Sequence, residues 1–114
     1  QPLQKACIPK GTDLRLYRRM PYGSLVNFLM LDGRQYRSDQ ACGDGTKSPC
    51  PEFLADRRTM LGPAQERWLE SEFKGTKARW NILGNQVRMT PVDSKPGPEE
   101  AYSMDAWSGY DARL

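Results

Sequence analysis

"SLVNFLML", residues 24–31, carries six apolar side chains in eight positions and stops at Asp32-Gly33. The run is too short for a stable helix and has no alternation, so it reads as a strand covered on both faces, as in a sheet flanked by helices. Upstream, "DLRLYRR" (13–19) alternates Leu14 and Leu16 with Arg15 and Tyr17, the period of a half-buried strand. Pro21 and Gly23 then punctuate a turn, and the two strands read as a hairpin. Downstream comes a polar loop of roughly 30 residues, a length that points to function or disorder.

A helix follows at "GPAQERWLESEFKG" (62–75), with Pro63 suited to its first position, Glu66 near its positive end and Gly75 placed to stop it. Leu61, Ala64, Trp68, Leu69 and Phe73 fall near one face and read as a core stripe. In "ARWNILGNQV" (78–87), residues 79–83 read as a second buried strand. Strand, loop, helix, strand is a crossover unit, so this strand should lie parallel to the central one, with both carboxyl ends at one edge. The fold class is therefore α/β. "VDSKPGPEE" (92–100) reads as a linker, and a short amphipathic segment starts at Met104.

The 114 residues suffice for one domain. "QPLQKACIPK" and "MDAWSGYDARL", at the two ends, read as the interior of something longer. No apolar run approaches the roughly 20 residues of a transmembrane helix. Seventeen basic and fourteen acidic residues alternate along the chain for a net charge of +3. Arg18-Arg19 and Arg57-Arg58 are the densest basic pairs and read as surface, which argues against sequence-specific nucleic-acid binding. Histidine is absent, which removes the commonest metal ligand and general base. Cys42 and Cys50 bracket the turn-forming "GDGTKSP" and are expected to form a disulfide, which places the protein outside the cytosol and leaves Cys7 over.

Polar chemistry concentrates at "DGRQYRSDQACGDG" (32–45), directly after the apolar run. Ligands of open α/β sheets sit beyond the carboxyl ends of the strands, so Asp32-Gly33-Arg34 and Gly84-Asn85-Gln86 are expected to converge there. The alternative is that Asp32 and Arg34, two apart in an extended segment, pair with each other and anchor the loop. Arg37 would point elsewhere if the segment stays extended.

"LDGRQYRSDQACGDG" (31–45) resembles the L-D-T-R-Q-Y-R-S-D-Q-x-C-G-D-G stretch of the PhoD-like alkaline phosphatases. The similarity continues through "LRLYRRMPYGSLVNF" (14–28), "RTMLGPAQERWLESEF" (58–73), "ARWNILGNQV" and "MDAWSGY" (104–110). The resemblance implies a secreted phosphomonoesterase and phosphodiesterase of metallophosphatase architecture, using calcium and iron and exported by a twin-arginine signal. It further implies that residues 1–114 are an internal segment of the catalytic domain, lying between the family's groups of metal ligands. The isolated chain should then be inactive, and no metal ligand is assigned within it. One departure is Gly33, where the family usually has Thr.

Carried onto matching positions, Arg34 would engage phosphate oxygens and Asp32 would orient Arg34. Asn85 and Gln86 would donate to phosphate or a metal-bound water, or else cap a strand end through the backbone. Trp107 and Tyr110 would shape the substrate entrance, or else pack a helix. A small secreted, disulfide-stapled binding module is the other reading of the same cysteines and loops.

Overall fold

The computed structural model describes residues 14–113, so Cys7 lies outside the described residues. The elements in order are strand β1 (Arg18–Tyr22), β2 (Val26–Met30), a 3-10 turn (Ala41–Gly43), β3 (Thr46–Lys47), a second 3-10 turn (Pro51–Leu54), helix α1 (Pro63–Gly75), β4 (Trp80–Gly84), β5 (Tyr102–Ser103) and a 3-10 segment (Trp107–Arg113). They fall into two compact units: the described part of Gln1–Asp32 with Pro63–Gln86, and Gly33–Gly62 with the described part of Val87–Leu114.

In the first unit a three-stranded sheet runs β1-β2-β4. β1 and β2 pair antiparallel from Arg18 opposite Met30 to Tyr22 opposite Val26. β2 and β4 pair parallel from Val26 opposite Trp80 to Met30 opposite Gly84. The hairpin and the parallel crossover are thus those the sequence predicts. The first strand, however, starts at Arg18, later than the alternation at 14–17 suggests, and Tyr17 is buried while Leu16 is 40% exposed. Pro21 lies inside β1 and not in the turn, which is Gly23–Leu25. Proline is tolerated there because β1 is an edge strand of this sheet, and Gly23 takes the positive φ of +56° that opens the turn.

Burial departs from the apolar pattern in three places. On β2 only Asn27 and Leu29 are fully buried, while Val26, Phe28 and Met30 are half-buried, so one face is covered more completely than the other. On β4, the other edge of the described sheet, Trp80, Ile82 and Leu83 are exposed. On α1 the buried residue is Gln65 and not the predicted stripe: Ala64 and Phe73 are exposed, Trp68 and Leu69 half-buried, and Leu61, which is buried, precedes the helix. Trp68 meets Tyr17 with ring centroids 4.9 Å apart, and Arg15 lies over the Tyr17 ring.

The second unit is loop-rich and stapled. Cys42 and Cys50 form the expected disulfide. Between them β3 pairs antiparallel with β5, Thr46 opposite Ser103 and Lys47 opposite Tyr102. Ala41, Phe53 and Met104 are buried together, with Cys42, Cys50 and Tyr102 packed against them. The stretch read as a linker is closed on itself: the Asp93 carboxylate accepts from the backbone amides of Lys95 and Ala101, each at 2.9 Å. Those bonds hold its pKa below the usual carboxylate value.

Candidate active-site residues

Two groups of the predicted residues emerge, one in each unit. In the first, the carboxyl ends of β2 and β4 are joined where the parallel register places them. The Leu31 amide donates to the Gly84 carbonyl at 2.9 Å, and the Gln86 side-chain amide donates to the Leu31 carbonyl. Gln86 thereby bonds backbone at the strand end. Asn85 follows β4 directly and is half-buried.

Asp32 is 3% exposed, and its backbone is held from both sides by one side chain. Gln65 accepts from the Asp32 amide at 2.8 Å and donates to the Asp32 carbonyl at 2.8 Å. Asp32 lies two residues past the end of β2, outside its ladder, and an amide side chain supplies its backbone with one acceptor and one donor. This explains why a glutamine takes the buried helical position that the apolar stripe was expected to fill.

The second group centres on Arg34 and a residue that the sequence reading passed over. The chain bends at 33–36, so the segment is not extended. Arg34 and Arg37, three apart, consequently reach the same oxygen: Asp105 Oδ1 lies 2.8 Å from Arg34 Nη1 and 2.7 Å from Arg37 Nη1. The Gln40 side-chain amide donates to that oxygen at 3.3 Å, and Arg37 also donates to the Asp105 backbone carbonyl at 3.3 Å. The Arg34 side chain is 52% exposed and that of Arg37 only 13%. Burial pushes the Asp105 carboxyl up, but the hydrogen bonds from Arg34, Arg37 and Gln40 and the Arg37 charge outweigh it and hold the pKa below the ordinary value. Arg37 therefore belongs to the same cluster as Arg34 instead of pointing elsewhere.

Trp107 and Tyr110 are both buried. The Tyr110 hydroxyl donates to the Ser38 carbonyl at 2.6 Å, and the Arg58 guanidinium stands 4.6 Å from the centre of its ring. Arg58 also donates to the carbonyls of Gly109 and Asp39. Burial raises the Tyr110 pKa, so the phenol stays protonated and remains a donor. These contacts tie the loop around Ser38-Asp39 to the segment that follows Asp105. The one signal in the sequence for Asp105 was its place in "MDAWSGY", where the aromatic residues drew attention instead.

Among the described residues there is no group of three or more His, Cys, Asp or Glu side chains that could hold a metal ion. Cys42 and Cys50 are committed to their disulfide. No described helix is long and apolar enough to cross a membrane.

Comparison with known proteins places this geometry in context. A family model described as PhoD-like phosphatase matches residues 1–114. Alkaline phosphatase D of Bacillus subtilis (strain 168) is 42% identical over 112 residues, which is 98% of this chain and 19% of that protein. A solved structure of PhoD superposes with a TM-score of 0.89 at 42% identity, covering 99% of this chain and 22% of the other. The chain thus spans about a fifth of the length of these relatives.

Proposed function

This chain belongs to the PhoD-like phosphatase family, and on that premise we propose that it forms part of the catalytic domain of a parent enzyme that hydrolyses phosphate mono- and diesters. The observation that carries the reading is the Arg34 guanidinium: half-exposed, on the loop that follows the central strand, and fixed by a carboxylate. A guanidinium held in this way offers paired N–H donors to phosphate oxygens and stabilises the charge that grows on them during transfer. Asp32, Asn85 and Gln86, at the carboxyl ends of β2 and β4 in the first unit, are the further candidates for contact with phosphate. Trp107 and Tyr110, buried in the segment that follows Asp105, are the residues this reading assigns to shaping the substrate entrance.

In this reading the enzyme is metal-dependent, with calcium and iron, and has the metallophosphatase-type fold. Among the described residues no group of three or more His, Cys, Asp or Glu side chains could hold a metal ion, and this reading assigns the metal ligands to other parts of the parent enzyme. This chain binds and orients the phosphate. The isolated 114 residues are accordingly inactive. The Cys42–Cys50 disulfide supports export to an oxidising compartment.

The test is Arg34→Ala in the parent enzyme, assayed with p-nitrophenyl phosphate. The expected result is a fall in kcat/KM of roughly 10² or more, with metal content and thermal midpoint near wild type. Arg34→Lys should recover part of the loss, since an ammonium keeps the charge but not the planar fork. Arg57→Ala, at an exposed position, is the control. Near-normal kinetics for Arg34→Ala would move this loop from the active site to the scaffold.

A further inference from the structure

We propose that Asp105 is the positioning residue of this site, holding Arg34 in the orientation in which it meets phosphate; the proposal rests on the reading that Arg34 is the phosphate contact. Asp105 is acidic and would repel a phosphate, so it serves the reaction through the guanidinium and not by touching the substrate. Its geometry suits that task. Arg37, nearly buried, and Gln40 grip the Asp105 carboxylate, and the same oxygen reaches out to the half-exposed Arg34. Two guanidinium groups thus share one carboxylate oxygen.

The carboxylate itself stands on a braced segment. The amide of the preceding residue, Met104, donates to the Gly45 carbonyl at 2.8 Å, and Met104 is wholly buried. Ser103 pairs with Thr46 on β3, inside the loop closed by Cys42 and Cys50. The Ser108 hydroxyl donates back to the Ser103 carbonyl at 3.0 Å, and the Trp107 amide donates to the Arg88 carbonyl at 3.4 Å. A long, solvent-facing arginine would otherwise have to give up its rotamer freedom on each encounter with substrate. A carboxylate fixed beforehand removes that cost from binding.

The experiment uses the parent enzyme with Asp105→Asn, Asp105→Glu, Arg34→Ala and the double variant Arg34→Ala/Asp105→Asn, with inorganic phosphate as competitive inhibitor of p-nitrophenyl phosphate hydrolysis. Asp105→Asn should raise both KM and the phosphate inhibition constant by about tenfold, and Asp105→Glu should recover part of that loss. The double variant should be no worse than Arg34→Ala alone, within about twofold, because residues that act as a unit are non-additive. A purely structural Asp105 would lower the amount of active enzyme while leaving the inhibition constant of the active fraction unchanged. That outcome, or additive losses in the double variant beside a crippled Arg34→Ala, would overturn the positioning role and leave the Arg34 reading standing. A near-normal Arg34→Ala would overturn the Arg34 reading and this proposal with it. Should Asp105→Asn not fold, the inhibition constant of Asp105→Glu decides by itself: a value equal to wild type refutes the role.

Discussion

Replacing Gln65 by leucine keeps the approximate volume of the side chain and deletes both of its bonds to Asp32. In the structure those bonds, each 2.8 Å, pair the amide and the carbonyl of a residue only 3% exposed, from a side chain 1% exposed. Leaving a buried polar group unmade costs about 1–3 kcal/mol, so two of them, with some relaxation toward water, amount to about 2–5 kcal/mol. The loss is local, so the suitable assay is hydrogen–deuterium exchange at the Asp32 amide in the parent enzyme. At 1.4 kcal/mol per factor of ten, exchange should quicken at least about 30-fold. Gln65→Glu separates the two bonds: an ionised carboxylate can accept from the Asp32 amide but repels the Asp32 carbonyl. Its defect should therefore ease in mild acid, where a protonated carboxyl can donate again. An increase below about threefold for Gln65→Leu would show that Asp32 does not depend on Gln65 for its backbone pairing.

Two further predictions concern the second unit. Replacing Cys42 and Cys50 together by serine should cost about 2.5 kcal/mol in the chain-entropy account of a loop with a sequence separation of 8, seen as earlier proteolysis within 43–49; unchanged susceptibility would contradict it. The Asp105 pKa lies below its ordinary 3.8, so its stabilising contribution is complete above about that pH and fades as pH falls through the lowered value. Acid titration followed by proteolysis should show loosening of this unit below the usual carboxylate range, and Asp105→Asn should remove that component.

Short-range pattern carried much of the fold. Six apolar residues in eight marked β2, the helix was bracketed by Pro63 and Gly75, and the length of the crossover dictated a parallel β4. Pattern failed where the deciding partner lies far along the chain. The burial of Gln65 depends on Asp32, 33 residues earlier, and no periodicity announces that a polar side chain will complete a distant backbone. Trp80, Ile82 and Leu83 show what a strand prefers to bury, but the sequence does not say what covers it. At the site, Arg34 was legible as a guanidinium beside a strand end. Asp105, 71 residues from Arg34, was not legible, because spacing offers only neighbours and it is the bend at 33–36 that lets Arg34 and Arg37 meet that distant carboxylate.

The separation of 71 residues between Arg34 and Asp105 also fixes an order of events during synthesis. A ribosome adding roughly 5–20 residues per second needs about 4–14 s to travel from one to the other. Throughout that interval the hairpin of β1 and β2 can already form, since both strands are complete by Met30. The two arginines cannot yet meet their carboxylate, and Tyr110 cannot yet reach Ser38. A nascent chain stalled before residue 105 would therefore hold the hairpin without the ion pairs of Arg34 and Arg37, so these are among the last contacts this stretch of polypeptide acquires.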